Sequence, residues 1–430
     1  MNAIRSDWRR FWFKPIHSGP QGLFRIVMGL LVLANAWILF PERVVWFSER
    51  GVLPTNFADN YQANYTPGPR VIHLLHHASD AWLTAFFVIF ILAAICMTVG
   101  LWTRPSLFLV ALGLNAIHNR NPIVNTTGGD CVMLVMTIYL MLAQADASCS
   151  LDRLWRVLKG REGRVAPRIV PWAQRLMQIQ LSLVYACTAI AKLQGKSWQE
   201  GVAIYYPMHL PAFARFPTPH VISDNLIMIN LMTYAALGIE LALATFVWVP
   251  RLRLYVLGLG VLLHLGIEYS LNIPLFSFLM IASYIPFLTQ EDLSNFQNWL
   301  VRTIRLTPLK LVYDGECDFC RSALLVVRFF DVFGLVTFLD SRDPAQLALA
   351  PEVSAEDAEH AAIAVGPKGR AYPGFYAFRE IIRRTPAFWL LTVFLYIPGV
   401  PQLGQSAYQW VTKNRSRLPV APRYKAKAQS

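Results

Sequence analysis

The chain has 430 residues, of which 55% are hydrophobic and only 15% charged, and its mean hydropathy is +0.39. A soluble globular protein carries about a quarter charged residues, so this composition excludes an ordinary soluble protein and indicates membrane-embedded segments. The net charge is +13, but the basic residues lie mostly in short loops beside apolar runs. Because no Lys/Arg stripe with interleaved aromatic residues occurs, nucleic acid is not an expected partner.

The first 18 residues interleave basic and aromatic side chains, as in RSDWRRFWFK. Such a segment is typical of a helix that lies at the membrane interface with its rings at headgroup depth. A small-residue cleavage site does not follow it, so we interpret the segment as an interfacial element rather than a signal peptide.

Apolar runs follow, each close to the ~20 residues that a helix needs to cross a bilayer. The predicted spans are residues 20–40, 80–102, 104–121, 129–146, 169–194, 223–249, 252–270 and 274–290. The pattern predicts an all-α multi-span membrane helical bundle of about eight transmembrane helices over residues 19–292.

The basic residues indicate the orientation of the bundle, because Lys and Arg accumulate in cytoplasmic loops. The N-terminal segment carries four, segment 146–168 carries six, the sixth loop carries two and the stretch after the last span three. On the alternate side, segments 41–79 and 195–221 carry three and two, and the loop after the third span carries one. With eight spans, we expect a multi-pass protein of a bacterial-type inner membrane with both termini in the cytoplasm.

Ionisable residues inside apolar spans are functional candidates, because burying them is costly. Lys192 lies near the outer end of the fifth span, Glu240 within the sixth and His264 near the outer end of the seventh. His118 and Asp130 flank the loop HNRNPIVNTTGGD. Their placement suits acid–base chemistry on a ligand that enters from outside or from the lipid. Structural explanations remain open: the lysine can snorkel to the interface, the glutamate can tie two helices, and the histidine can be a packed hydrogen-bonding side chain.

The pattern changes after a linker at residues 293–308. LKLVYD and GLVTFLD predict strands around an amphipathic helix, DFCRSALLVVRFFD, and HAAIAVGPKGRAY predicts two strands before the helix FYAFREIIRR. A CxxC pair where the first strand meets its helix is typical of a thioredoxin-like α/β fold. We expect such a domain over residues 309–430. The run AFWLLTVFLYIPG, residues 387–399, is too short to span a bilayer, and we expect it to be buried or membrane-facing.

Two of the six cysteines, Cys317 and Cys320, are closely spaced. At a helix start, unpaired amides and the helix dipole stabilise a thiolate on Cys317, and Cys320 lies one turn on as a resolving thiol. The carboxylates of Glu316 and Asp318 oppose this effect. The alternatives are a purely structural pair or half of a zinc site, which would need two further ligands in a tail whose only histidine is His360. A metal site is not predicted.

The tail resembles the DCC family of predicted thiol-disulfide oxidoreductases. The likeness rests on YDGECDFC, the helix after it, the block GRAYPGFYAFREIIRRTP and the late AYQWVTKNRSRL. It implies that Cys317 and Cys320 are the redox pair, and that Asp314 and Gly315 shape the turn before them. Asp318 stands where proline is common in the family.

The membrane part is similar to the HTTM domain, the membrane module related to vitamin K-dependent gamma-carboxylase. The likeness rests on GLFRIVMGLLVL, HNRNP…GGD, LSLVYACTAIAKLQGKSWQEGVAIYY and HLGIEYSLNIPLFSFLMIASYIPFL. It implies that Lys192 is a base, as is the lysine that deprotonates reduced vitamin K in the carboxylase, and that His264 matches a family histidine. The carboxylase's large lumenal region has no counterpart, and its quinone-site residues are not matched near Asn125 and Thr126. Glutamate carboxylation is therefore not expected.

These features leave three functions open. The first is a membrane-anchored thiol-disulfide oxidoreductase whose CxxC exchanges electrons with a cytoplasmic redox partner, as a reductase because that compartment is reducing. The second is a Lys192-based membrane enzyme that acts on a quinone or lipid, with the CxxC domain as an accessory. The third is a non-enzymatic transporter or assembly factor, although a clear internal repeat, which a transporter favours, does not occur. The orientation puts the two candidate sites on opposite sides of the membrane, which disfavours direct electron transfer between them.

Overall fold

The structure is a computed structural model that describes residues 2–65, 74–122, 128–163, 165–415 and 417–421. Four parts of the chain that the sequence predictions use lie outside the described residues. They are residues 66–73 with the basic residue Arg70, the loop 123–127 with Asn125 and Thr126, the basic residue Arg164, and the chain end 422–430.

Helices make up most of the described chain. In order they are α1 (Asn2–Phe13), α2 (Gly19–Leu39), α3 (Arg43–Phe47), α4 (Thr55–Tyr65), α5 (Asp80–Val99), α6 (Thr103–Arg120), α7 (Gly128–Leu142), α8 (Leu151–Leu158), α9 (Trp172–Leu193), α10 (Lys196–Gln199), α11 (Tyr205–His209), α12 (His220–Ser223), α13 (Leu226–Thr245), α14 (Arg253–Ser270), α15 (Phe276–Ala282), α16 (Gln290–Thr303), α17 (Asp318–Phe330), α18 (Pro344–Leu347), α19 (Ala355–His360), α20 (Phe375–Arg383), α21 (Trp389–Phe394) and α22 (Val400–Asn414). Short 3₁₀ turns occupy Phe246–Trp248, Ile285–Phe287 and Pro386–Phe388.

Strands are fewer and shorter. They are β1 (Ile16–His17), β2 (Arg168–Ile169), β3 (Leu309–Tyr313), β4 (Val336–Asp340), β5 (Ile363–Val365) and β6 (Ala371–Pro373). The first two pair with each other, and the other four form one sheet.

The chain divides into two compact units. The first comprises Met1–Ser150 and Pro167–Thr289, and the second comprises Leu151–Ala166 and Gln290–Ser430. The second unit thus contains the predicted tail domain, the linker, which is largely the helix α16, and a short segment from the middle of the chain that carries α8.

A helix stands at the position of every predicted span, but the count of eight transmembrane helices is not confirmed. In the described part of the chain, four helices are long and apolar enough to cross a membrane: Gly19–Leu39, Asp80–Val99, Trp172–Leu193 and Leu226–Trp248. α6 and α14 have 18 residues each, but polar and ionisable side chains lower their hydropathy. Gly128–Leu142 and Phe276–Phe287 are shorter apolar segments.

Two predicted spans are shorter than the hydropathy suggested, for local reasons. The run 80–102 ends at Gly100, which takes the left-handed conformation with φ +69° and terminates α5. The run 274–290 is interrupted between α15 and the 3₁₀ turn that contains Pro286, because proline removes a backbone donor and cannot continue a regular helix.

Two fully buried arginines tie helices of the first unit to backbone carbonyls. Arg25 of α2 donates to the carbonyls of Met97, at 2.7 Å, and Cys149, at 2.6 Å. Arg120, at the end of α6, donates to the carbonyls of Leu53 and Ser48 at 2.8 and 2.9 Å. Such bonds satisfy guanidinium groups that burial would otherwise leave without hydrogen-bond acceptors.

The second unit is built on a mixed four-stranded sheet of order β4-β3-β5-β6. β3 pairs in parallel with β4 and antiparallel with β5, and β5 pairs antiparallel with β6. The predicted strands and helices of the tail are confirmed. Alternate side chains of the sheet enter two cores: Leu311 and Ala364 pack with α17 and α20 on one side, and Val312 and Leu339 pack on the other.

Candidate functional site

The two closely spaced cysteines lie where β3 meets α17, as predicted. Cys317 is the N-cap residue of α17, and its Sγ accepts a hydrogen bond of 3.1 Å from the backbone N–H of Cys320. The two sulfurs are joined in a disulfide, with a Cα–Cα distance of 5.2 Å. The sulfur of Cys317 therefore receives an amide hydrogen at a helix N-terminus, which is where the helix dipole stabilises negative charge.

The turn before the disulfide depends on Asp314 and Gly315. The buried Asp314 carboxylate accepts hydrogen bonds from the backbone N–H of Glu316, at 3.1 Å, and from Arg342 Nε, at 3.3 Å. The Gly315 N–H donates to the carboxylate of Asp340 at 3.1 Å. A Cβ atom on Gly315 would collide with that same carboxylate, so any other residue at this position requires the Asp340 side chain to shift.

Two arginines that the sequence analysis did not single out surround this turn. The Asp314 carboxylate, followed by Glu359 and Glu316, raises the pKa of the Arg342 guanidinium above its usual value, and Arg342 also forms a 2.8 Å ion pair with Glu359. Arg415, directly after α22, lies 3.7 Å from the Asp314 carboxylate and donates to the carbonyl of Glu359 at 3.1 Å. Arg415 belongs to the late block AYQWVTKNRSRL, whose resemblance to the DCC family was the one signal for it.

A small cavity of about 60 Å³ lies beside Cys320. Its lining includes Asp314, His360, Tyr408 and Arg415. The tail's histidine is therefore near the disulfide. In the described residues, no group of three or more His, Cys, Asp or Glu side chains is arranged to hold a metal ion, so the further ligands that zinc would need are not found there.

In the first unit, the structure brings Lys192 and Glu240 together. Lys192 Nζ of α9 donates to the carboxylate of Glu240 on α13, and it lies 4.9 Å from the ring centroid of Trp198. Glu240 is buried, and its second oxygen lies 3.4 Å from the hydroxyl of Thr188. If Lys192 acts as a base, the proton that it takes up can pass directly to the Glu240 carboxylate.

His264 lies in a hydrogen-bonded row of aromatic side chains. Tyr185 of α9 has its hydroxyl 2.8 Å from His264 Nε2 and 2.7 Å from the hydroxyl of Tyr284. All three residues are buried. Sequence reasoning missed Tyr284, because a tyrosine at the edge of an apolar run gives no signal of a hydrogen-bond partner on another helix.

His118 and Asp130 occupy a different place. His118 is buried and interacts electrostatically with Asp130. Asp130 lines a cavity of about 330 Å³ between α2, α7 and the chain before α15, together with Asn35, Glu42 and Trp46. The predicted constellation is therefore two groups: Lys192 with Glu240, near the His264 row, and His118 with Asp130.

A helical unit with membrane-length apolar helices, joined to an α/β unit with a CxxC at a helix start, defines a membrane protein with an attached thiol-disulfide domain. The chain belongs to the HTTM domain family, whose match covers residues 13–292. Residues 311–421 match the DCC1-like thiol-disulfide oxidoreductase family. Both family resemblances seen in the sequence are thereby confirmed.

The chain is also similar to the sporulation-delaying protein SdpB of Bacillus subtilis (strain 168). The identity is 27% over 185 residues, which are 41% of this chain and 54% of SdpB. The chain thus spans about half the length of this curated relative. Solved structures give no match.

Proposed function

We propose that the protein is a membrane-anchored thiol-disulfide oxidoreductase that works as a reductase in the cytoplasm. The observation that carries the proposal is the amide N–H of Cys320 bonded to Cys317 Sγ at the start of α17, within the segment that matches the DCC1-like family. A thiolate at this atom is stabilised by the helix dipole and by the hydrogen bond.

The reaction balances as two thiol–disulfide exchanges. In the reduced protein, the Cys317 thiolate attacks one sulfur of a substrate disulfide, which forms a mixed disulfide and releases the other sulfur as a thiolate that takes up a proton. Cys320 then loses its proton and attacks Cys317 Sγ, which releases the second substrate thiol and restores the Cys317–Cys320 disulfide. Two electrons pass to the substrate, and a dithiol reductant of the cytoplasm returns them to the pair.

The strand order supports a thioredoxin-like arrangement of the second unit. A parallel strand–helix–strand segment, β3-α17-β4, is followed by the antiparallel pair β5-β6 and by α20. A CxxC beside such a βαβ segment is the arrangement expected of a redox domain.

The cytoplasmic location is supported by the chain segments that make up the second unit. α8 lies in the loop between the fourth and fifth predicted spans, yet Leu158 packs against Leu325 of α17, and the Arg153 guanidinium lies 5.5 Å from the ring centroid of Phe329. A loop that packs against the disulfide domain must be on the same side of the membrane as that domain. This loop is the most basic in the chain, and basic loops are cytoplasmic.

Reduction of a protein disulfide by the purified full-length chain tests the proposal. With dithiothreitol as reductant and insulin as substrate, we expect catalysed reduction by the native chain and none above background by Cys317→Ser. Cys187→Ser, which removes an exposed free cysteine, is the matched control and should keep full activity. Equal activity in Cys317→Ser and the native chain would refute the proposal.

A second candidate function is acid–base catalysis in the first unit on a quinone or lipid. It is favoured by the Lys192–Glu240 pair and the Tyr185–His264 hydrogen bond. An apolar cavity of about 290 Å³ lies between α13 and α14, and its lining includes Ile239 and Leu263, which directly precede Glu240 and His264 in the sequence. Such a cavity suits the apolar part of a membrane ligand.

The second candidate is tested by oxidation of a reduced naphthoquinone by dioxygen in reconstituted protein. Tyr185→Phe removes one oxygen atom and keeps the ring, and it should lower the protein-dependent rate about 10-fold or more if the row moves a proton. Tyr234→Phe is the control, since its hydroxyl donates to the backbone carbonyl of Gln199 and does not belong to the Tyr185–His264–Tyr284 row. Unchanged rates in Tyr185→Phe would show that the hydrogen bonds among Tyr185, His264 and Tyr284 have a structural role and do not take part in catalysis.

A further inference from the structure

The end of the second unit exposes large apolar side chains that a soluble domain would bury. In and around α21 and α22 they are Trp389, Leu390, Leu391, Val393, Phe394, Tyr396, Ile397, Leu403 and Trp410. Leu390 is 87% exposed, Leu403 73% and Val393 72%. These side chains, residues 389–410, are called the apolar patch below. Exposed apolar side chains in this number indicate a partner surface, and most of the run 387–399 is exposed rather than buried.

The helices hold this patch outward through contacts on their other side. Gln405 and Tyr408 of α22 accept hydrogen bonds from the backbone N–H groups of Phe375 and Ala362, and Arg415, which follows the helix, donates to the carbonyl of Glu359. Leu403 and Trp410, seven residues apart, therefore share the opposite face. Just before α21, the ring of Phe388 packs on the ring of Phe330, with 4.9 Å between the two ring centroids.

The charged residues in the segment that carries the patch have one sign. Residues 389–421 contain Lys413, Arg415 and Arg417 and no Asp or Glu, and Arg415 lies 3.7 Å from Asp314. In contrast, residues 314–360, which carry the disulfide, contain ten acidic and three basic residues. An exposed apolar segment with tryptophan, whose charged residues are all basic, fits the headgroup layer of an anionic bilayer, whereas the acidic segment would be repelled from it.

The covalent structure keeps a bilayer within reach of this patch. The second unit begins at Gln290, three residues after Phe287, where the last apolar segment of the first unit ends. Its other segment, Leu151–Ala166, is joined to the first unit at both ends. The second unit is therefore covalently joined to the first at three points of the chain.

We propose that the apolar patch inserts into the headgroup region of the anionic leaflet, as an interfacial anchor of the disulfide domain. Tyr408 of α22 and Arg415 directly after it lie beside Cys320 on one face and the patch lies on the other, so insertion fixes the disulfide close to the membrane surface with its acidic side toward the solvent. The inference rests on the proposed membrane anchoring of the first unit.

Spin-label accessibility in the full-length chain tests this inference. The four free cysteines are replaced by serine, the Cys317–Cys320 disulfide is kept oxidised, and a nitroxide is attached at Val393→Cys or, as control, at the exposed Glu352→Cys. In nanodiscs that contain phosphatidylglycerol, we expect oxygen to reach the label at residue 393. Water-soluble nickel chelate should reach it about threefold less than at residue 352, since nickel is excluded from the interface.

Two outcomes would overturn the inference. Equal nickel access at both labels would place the patch in water, and exclusion of both oxygen and nickel at residue 393 would place it against protein, such as a second copy. Disulfide reductase activity of the same preparations, after reduction, is measured in parallel. Loss of activity with the expected label pattern would refute the proposed function alone, whereas normal activity with a water-exposed patch would refute only the anchor.

Discussion

The backbone N–H of Cys320 points at the Sγ atom of Cys317 over 3.1 Å, at the first turn of α17. This relationship supports the different roles that we propose for the two cysteines and that their order at the helix start predicts. The sulfur that receives the hydrogen bond is the better thiolate, and the other is placed one turn further along the helix to resolve a mixed disulfide.

Replacing the resolving cysteine should trap the substrate. In Cys320→Ser, the Cys317 thiolate still attacks, but the mixed disulfide has no internal thiol to resolve it, so we expect a covalent adduct with a disulfide-containing protein such as insulin. Non-reducing electrophoresis and mass spectrometry would detect the adduct and locate it at Cys317. The double variant Cys317→Ser/Cys320→Ser is the control, and an equal amount of adduct with that variant would contradict the assignment.

A methyl group at Gly315 should destabilise the turn that carries the disulfide. Gly315→Ala places a Cβ atom against the Asp340 carboxylate, and overpacking of this kind costs about 1–3 kcal/mol. Hydrogen exchange of β3 and β4 amides is the measurement, and we expect faster exchange in the variant. Gly366→Ala is the control, because the nearest atom to its Cβ is a Tyr372 ring carbon at 3.5 Å, an ordinary contact. Similar exchange in both variants would show that the Asp340 contact does not constrain the turn.

Replacing one partner of the Lys192–Glu240 ion pair should lower the free energy of unfolding more than replacing both partners. Lys192→Met leaves the buried Glu240 carboxylate without its cation, which should destabilise the first unit by up to about 3 kcal/mol. This value is the lower end of the range for removing one partner of a buried ion pair, because the lysine is partly exposed. Lys192→Met/Glu240→Leu should recover much of that loss. Thermal unfolding of the purified chain in detergent measures both, and additive losses in the double variant would show that the two side chains are not coupled.

The segment between α11 and α12 should be more stable in mild acid than in mild base. The backbone carbonyl of Tyr205 and the carboxylate of Asp224 raise the pKa of His209 above 6.5, and hydrogen bonds from Ser223, His220 and His209 hold the pKa of Asp224 below 3.8. The histidine's contribution is fully present below pH 6.5 and is lost as the pH rises through its folded-state pKa. The aspartate's contribution is lost only as the pH falls through its own, lower pKa.

Hydrogen exchange of residues 205–224, corrected for the intrinsic rate, checks this pH dependence. We expect more protection at pH 6 than at pH 8, and Asp224→Asn should reduce the difference because it removes the acceptor common to both histidines, while the Tyr205 carbonyl still bonds His209. A difference of unchanged size in Asp224→Asn would mean that Asp224 does not control the segment.

The elements of the chain could be predicted because their signals are local. Hydropathy located a helix at each predicted span, and the alternation of LKLVYD and the period of DFCRSALLVVRFF located β3 and α17. The limits of those spans could not be predicted, since they depend on the left-handed conformation of Gly100 and on the proline-containing turn before the end of the last run.

Contacts between distant segments could not be predicted from one sequence. The sequence identified Lys192, Glu240 and His264 as costly residues in apolar surroundings, but only the packing of helices pairs the first two and places Tyr284 near the third. For the same reason α8 could not be assigned to the disulfide unit, because its partner α17 lies more than 150 residues further along the chain.

Thiol labelling of Cys317 in intact cells tests the central claim most directly. The chain carries serine at the four free-cysteine positions, and the remaining pair is reduced before labelling. A membrane-permeant maleimide should modify Cys317 in intact cells, whereas a charged, impermeant maleimide should modify it only after the cells are lysed. Modification by the impermeant reagent in intact cells would place the disulfide outside the cytoplasm and contradict a cytoplasmic, membrane-anchored reductase.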